Sequence, residues 1–166
     1  MNELFANRRN RTEPDATDDR AGGILIRAGG RIADIAHSRA VREVVFIAEQ
    51  GVPRDLEIDD LDDEALHLLA IDTATGLPVG TARILDKGDG VAKIGRVAVL
   101  KEYRGRGIGQ ALMRAAFKTL RELHFQVMVL DAQVSVIGFY EQFGFAAAGE
   151  PFLDAGIPHR RMNRAV

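Results

Sequence analysis

The chain contains no cysteine, which removes disulfides, a thiol nucleophile and every cysteine-based zinc or iron–sulfur site from consideration. It also lacks any apolar run approaching the roughly eighteen residues of a membrane-spanning helix, so a soluble protein is expected. The basic start, apolar stretch and small-residue cleavage site of a secretory leader are missing as well, and a cytoplasmic location fits these absences. Charge of one sign is lacking: 22 Lys and Arg face 24 Asp and Glu, a formal net charge of −2, so the protein as a whole has no attraction for nucleic acid or an anionic membrane. Two ligand-binding spellings are absent. The Gly-Lys-Ser/Thr of a P-loop is not found, because Gly109 is followed by Gln110-Ala111, and this excludes a nucleotide hydrolase of that type. The D-x-D-x-D-G spacing of a calcium loop is not found either, and no metal is expected.

What is present suits one domain: 166 residues, 46% of them hydrophobic, suffice for a single core. The most informative stretch runs from Lys93 to Leu120. A β-branched run through Val97-Ala98-Val99 is followed by a charged turn, glycines at 105, 107 and 109, and apolar residues at 112, 113, 116, 117 and 120. That pattern predicts strand, loop and helix. Alternate glycines strip the Cβ atoms from one side of the loop, so its N–H groups can converge on a phosphate at the positive end of the helix. A phosphorylated ligand is therefore expected. The dinucleotide fingerprint G-x-G-x-x-G fits poorly, since either frame puts Gln110 or Leu112 at the third glycine and only Asp131 matches.

Around this stretch the chain reads in order. Residues 1–20 have few aliphatics and mix Arg8, Arg9 and Arg11 with Glu13, Asp15, Asp18 and Asp19, which predicts a disordered tail ahead of a domain over 21–166. Ile24-Leu25-Ile26 reads as a strand, and 31–49 as an amphipathic helix or helix pair stopped by Gly51 and Pro53. The loop 54–64 carries seven acids in eleven residues; it reads either as a solvated surface loop or as the lining of an entrance for a cationic amine. Residues 65–71 and 79–85 form a predicted hairpin. Val127-Met128-Val129-Leu130 reads as a buried strand returning parallel to 92–100 through a right-handed crossover. A helix follows, with 136, 139, 140 and 143 on one face and Gly144 as its stop.

Three segments carry a resemblance. Arg104-Gly105-Arg106-Gly107-Ile108-Gly109 resembles the acetyl-CoA loop of the GNAT N-acetyltransferase superfamily, with Arg104, Gly107 and Gly109 in the family's pattern positions. Phe139-Tyr140-Glu141, closing on Gly144-Phe145, resembles the family's second signature. Residues 45–53 and 150–162 resemble the ElaA-type branch, so the likeness covers roughly 24–164.

The resemblance implies an α/β fold whose mixed, largely antiparallel sheet is splayed between strands 92–100 and 127–131, with helices on both faces. It implies acetyl-CoA as cosubstrate, with residues 104–109 on the pyrophosphate and Val97, Ala98 and Val99 along the pantetheine arm and the developing oxyanion. Gln133 stands where the family commonly has Asn near the coenzyme, and Tyr140 stands as the acid for the departing thiolate. The glutamate that some members use as base is replaced by Lys93-Ile94-Gly95-Arg96. His159, Glu49, Asp154 and His67 are the remaining candidates, beside a relay through water. The expected function is direct acetyl transfer from coenzyme A to a primary amine of a small molecule, without nucleic acid or membrane and with a homodimer allowed. A non-catalytic acyl-CoA-binding regulator and a protein-lysine acetyltransferase stay open beside it.

Overall fold

The computed structural model describes residues 2–10 and 15–166, the backbone alone for 15–21. Its eight strands are β1 (Asp15–Ala21), β2 (Ile24–Gly29), β3 (Leu66–Asp72), β4 (Pro78–Asp86), β5 (Val91–Val99), β6 (Val127–Gln133), β7 (Ala146–Asp154) and β8 (Ile157–Ala165). They form one sheet in the order β1-β2-β3-β4-β5-β6-β8-β7. Every neighbouring pair is antiparallel except β5 and β6. That parallel pair is joined by helix α4 (Ile108–Glu122) in the strand–helix–strand unit expected from the sequence. The mixed, largely antiparallel sheet is thus as anticipated.

Strands β3 and β4 are buried along most of their length, so both faces of the sheet are covered. Alternation of side chains assigns the faces. Ala82 and Ile84 join the core that includes Leu112, Met113 and Leu120 of α4. Thr81, pointing the other way, hydrogen-bonds Ser38 of helix α2 (Ile32–Arg42) at 2.9 Å. The predicted helix over 31–49 is one continuous element, α2 running into a π-helical segment, Glu43–Glu49. Val41 and Val45 bury themselves on Ala98 of β5, and this fixes the start of the π segment above that strand. No helix among the described residues is long and apolar enough to cross a membrane.

Two expectations are corrected. Residues 2–10 are not a disordered tail: Glu3–Arg9 form helix α1, capped by the Asn2 side chain. Phe5 is buried and meets Phe125 edge-to-face with ring centroids 5.9 Å apart. One large apolar side chain with a pocket to fill is enough to anchor a short helix that composition alone assigns to solvent. Of the rest of the anticipated tail, residues 1 and 11–14 lie outside the described residues, and the backbone of 15–21 pairs with β2.

The second correction concerns the acidic stretch. It folds as helix α3 (Arg54–Glu57) and a 3-10 turn over Asp60–Glu64. Asp55, Asp60, Asp63 and Glu64 face solvent, but Glu57, Asp59 and Asp62 turn inward onto arginines. Asp62, fully buried, accepts from Arg39, Arg42 and Arg83 at 2.7–2.9 Å. The partners lie more than fifteen residues away for most pairs, so these three acids are not the solvated surface the charge run suggests: each inward acid faces a cation supplied by another element.

Candidate active site

A break in the sheet makes the site. β5 and β6 are in register only over Val91↔Val127, Ala92↔Met128 and Lys93↔Val129. Beyond Lys93 the strands diverge, and the Lys93–Asp131 ion pair at 2.7 Å ties them where the ladder ends. On its other side β5 carries a bulge: Thr81 faces Ala98 and Arg83 faces Gly95, so Arg96 and Val97 together oppose Ala82 alone. Arg96 lies in the left-handed region at φ 52°, where a residue with a Cβ is strained by about 1–2 kcal/mol. The opened strands enclose a cleft of about 390 Å³, lined by Ile94–Val99 of β5, Leu130, Asp131 and Gln133 of β6, and Phe46, Gln50 and Val52 above.

At one end of the cleft the loop after β5 enters α4. Gly107, at φ 77°, caps the helix, and Gly105 is at φ 76°. A Cβ built on either would meet nothing within 4 Å, so both glycines face open space at the positive end of a fifteen-residue helix. That geometry fits a phosphate group of coenzyme A. Gly109 has a different reason to be glycine: its Cβ would come within 3.3 Å of the Phe139 ring, so it permits close packing of the segment that carries Tyr140. Ile108 is buried and faces the core rather than the loop's open side. Arg106 lies over the Tyr103 ring at 4.9 Å, while Tyr103 donates to Asp72 at 2.8 Å, which holds the outer part of the loop.

Gly107→Val is expected to fill that space and to force a β-branched residue to positive φ, weakening coenzyme A about tenfold or more. The fold should persist, because no packed neighbour is displaced. Calorimetric titration with coenzyme A checks this, and unchanged affinity in a folded variant would remove the loop from the phosphate site.

The helix expected to carry 136, 139, 140 and 143 on one face is short. A 3-10 turn, Val134–Val136, precedes helix α5 (Ile137–Glu141), consistent with the weaker helix preference of two β-branched residues. Gly144, at φ 80°, ends the segment as anticipated. Tyr140 lines the cleft and is 8% exposed, with its ring edge-on to Phe139 and Phe145 at 5.0 and 6.2 Å. No hydrogen bond to its hydroxyl is made among the described residues, and burial pushes its pKa up to about 12. A neutral phenol in an apolar wall, with its donor unspent, is poised to donate to a ligand.

His159 reaches the cleft from β8, opposite Gln133 in the ladder. Its ring stacks on Phe152 at 6.0 Å, and Nδ1 lies 2.7 Å from the Ile157 carbonyl. A carbonyl only accepts, which assigns the proton to Nδ1 and leaves the Nε2 lone pair for a ligand. Gln133 spends its amide on Gln50 at 2.8 Å. Glu49 is differently engaged: both its oxygens accept from Arg104, at 2.6 and 2.8 Å, and this pairing holds its carboxyl below the usual range. It is a poor proton acceptor for that reason. Arg104 also donates to the Val99 carbonyl at 2.9 Å, so Glu49 and Arg104 together lash the end of the π segment to the end of β5.

Asp154 sits at the cleft rim on the β7–β8 turn. His67 is fully buried, with Nε2 at 3.0 Å from the Asp62 carbonyl and outside the cleft wall; burial moves its pKa down. Sequence reasoning missed Glu57, Arg96 and Gln50 as cleft residues. Burial raises the Glu57 carboxyl despite Arg42 and Arg96 beside it. Nothing in the local pattern separates Glu57 from its six acidic neighbours. For Gln50, its place beside Gly51-Val52-Pro53 at the end of a helix was the only signal.

Comparison with known proteins gives a family match and two kinds of relative. The model for an acetyltransferase (GNAT) domain matches residues 38–166. The N-acetyltransferase YjcF of Bacillus subtilis (strain 168), itself uncharacterized, is 41% identical over 123 residues, 74% of this chain and 86% of that protein. The crystal structure of Escherichia coli ElaA superposes with a TM-score of 0.71 at 30% identity, covering 81% of this chain and 91% of ElaA. An acyl-CoA N-acyltransferase from Pseudomonas aeruginosa gives a TM-score of 0.71 at 33% identity, covering 79% of this chain and 89% of that one.

Proposed function

Because this chain belongs to the GNAT acetyltransferase family, we propose that it moves an acetyl group from acetyl-CoA directly to a primary amine of a small molecule held in the cleft. The observation that carries this reading is the unspent hydroxyl of Tyr140, a residue of the cleft wall, beside a strand, β5, that has left β6 beyond Lys93. Bound acetyl-CoA supplies the activated acyl thioester. The N–H groups at Gly105 to Ile108 take the pyrophosphate at the start of α4, with Arg104 beside them. Val97, Ala98 and Val99 offer backbone groups to the pantetheine arm and to the oxygen that gains charge during transfer. The likeness to a Pseudomonas acyl-CoA N-acyltransferase supports the same choice of donor.

His159 Nε2 accepts the proton released when the amine nitrogen attacks, and Tyr140 donates toward the departing sulfur. A phenol at about 12 is a weaker acid than a thiol near 8.5. Its main contribution is therefore a hydrogen bond that strengthens as charge builds on sulfur. The acceptor reading follows from the acids. The inward ones are neutralised by arginines, and the four that face solvent lie outside the cleft wall. The stretch 54–64 therefore offers a lysine-rich protein tail no exposed acid at the cleft, and Asp154 at the rim is too little acidic surface to draw such a tail in, which favours a small amine.

His159→Ala is expected to lower kcat/KM for the amine by about 10²-fold or more while leaving acetyl-CoA affinity unchanged. Steady-state kinetics with the best acceptor from an amine panel, with the N-acetylated product identified by mass spectrometry, tests both the reading and this role. Wild-type kinetics in a variant that merely melts earlier would reduce His159 to its stacking contact with Phe152.

A further inference from the structure

We propose that Arg96 is a positioning residue for acyl transfer: a buried cluster of acids and arginines pins its side chain, and so holds the β5 bulge in the form that turns the backbone of 96–98 toward the cleft. The inference rests on the functional reading above. Its starting point is a mismatch between residue and backbone. Left-handed positions in bulges favour glycine, yet here Gly95 precedes the left-handed residue and Arg96 occupies it. Something other than conformational ease must keep Arg96 there.

The side-chain contacts supply it. Arg96 Nη2 donates to the carbonyls of Leu56 and Glu57, both at 3.2 Å, and lies 3.4 Å from Asp59. Its Nε forms an ion pair with the Glu57 carboxylate at 2.9 Å, off the axis of a hydrogen bond. Glu57 is gripped from behind by Arg42, which is fully buried and bonds both its carboxylate and its carbonyl. Arg83 fixes Asp59 in turn. A line of contacts thus runs from α2 through α3 to the bulge in the β4–β5 ladder. Arg96 and Val97 together face Ala82 alone on β4, and residues 94–99 have no register partner on β6. The backbone controlled by this anchor is the backbone left to meet a ligand.

Two substitutions separate the anchor from the conformation. Arg96→Ala removes the side chain and disfavours positive φ, whereas Arg96→Gly removes the side chain but keeps positive φ accessible. Loss of a positioned transition-state donor costs about 10²–10³-fold in kcat. Arg96→Ala should lose rate on that order and Arg96→Gly about tenfold, both with a smaller loss of coenzyme A affinity, because 97–99 also border the pantetheine arm while the phosphate end of the site is untouched. Hydrogen–deuterium exchange of the peptide spanning 94–99 in the ligand-free protein should quicken in both variants. Wild-type kcat in Arg96→Ala with only a lower Tm, or unchanged exchange in Arg96→Gly, would overturn the proposal. If Arg96→Ala does not fold, Glu57→Gln, which weakens the grip on Arg96 and keeps the residue, should show the same faster exchange, and unchanged exchange there overturns it equally. Absence of turnover in the wild-type protein with every amine would sink the functional reading instead, and the exchange data would still decide whether Arg96 anchors the bulge.

Discussion

Tyr140→Phe is expected to lower kcat by about 10²–10³-fold, the cost of losing one hydrogen-bond donor to charge that builds in the transition state, with acetyl-CoA affinity and Tm close to wild type. The substitution keeps the ring, and with it the edge-on contacts to Phe139 and Phe145. The hydroxyl makes no hydrogen bond among the described residues, so its removal leaves no buried partner unsatisfied. The usual stability cost of losing a buried hydroxyl is therefore absent, and an effect confined to turnover can be read as chemistry. Burial holds the phenol at about 12, so it stays protonated throughout the working range, and the wild-type rate should show no alkaline loss from Tyr140 at about pH 10, where an unperturbed tyrosine ionises. Single-turnover measurements, where chemistry limits, provide the check. A Phe variant with wild-type kcat would make Tyr140 a packing residue.

The largest expected effect on stability is at Asp62. Burial alone would raise its carboxyl, but Arg39, Arg42 and Arg83 together bring it down to about 2. Asp62→Ala leaves the fully buried Arg42 and the nearly buried Arg83 short of a counter-charge. Breaking a buried ion pair from one side costs about 3–5 kcal/mol. For a chain of this size that corresponds to a fall in Tm on the order of 10 °C. The same group gives a pH dependence. Its folded pKa lies below the unfolded value of 3.8, so its contribution is present above pH 4 and is lost as pH falls toward 2. Denaturant unfolding of both proteins at neutral pH and at pH 3 measures the two effects. A variant within 1 kcal/mol of wild type at neutral pH would mean that the cluster relaxes or hydrates.

Much of the fold was legible because its signals are local. The hairpin at β3–β4, the parallel return of β6 and the stop at Gly144 follow from alternation, crossover length and a glycine at positive φ. The candidate site was legible where a motif spells it, in that Val97–Val99, Arg104 and Tyr140 line one cleft and 105–109 lead from it into α4. The rest depended on pairing across the chain. Nothing near residue 62 announces arginines at 39, 42 and 83, and nothing about Arg96 announces a bulge, since arginine is not a turn-former. Glu49 looked like a free acid until Arg104, fifty-five residues away, closed on it. Helix α1 escaped notice because one buried phenylalanine outweighs a polar composition.

The most direct test is thiol release from acetyl-CoA by the wild-type protein, with and without a panel of small amines, scored beside calorimetric binding of coenzyme A. The account predicts binding, together with thiol release that depends on one class of amine and matches the N-acetylated product mole for mole. Binding of coenzyme A with no amine-dependent release would contradict it and make this chain an acyl-CoA-binding protein that does not turn over.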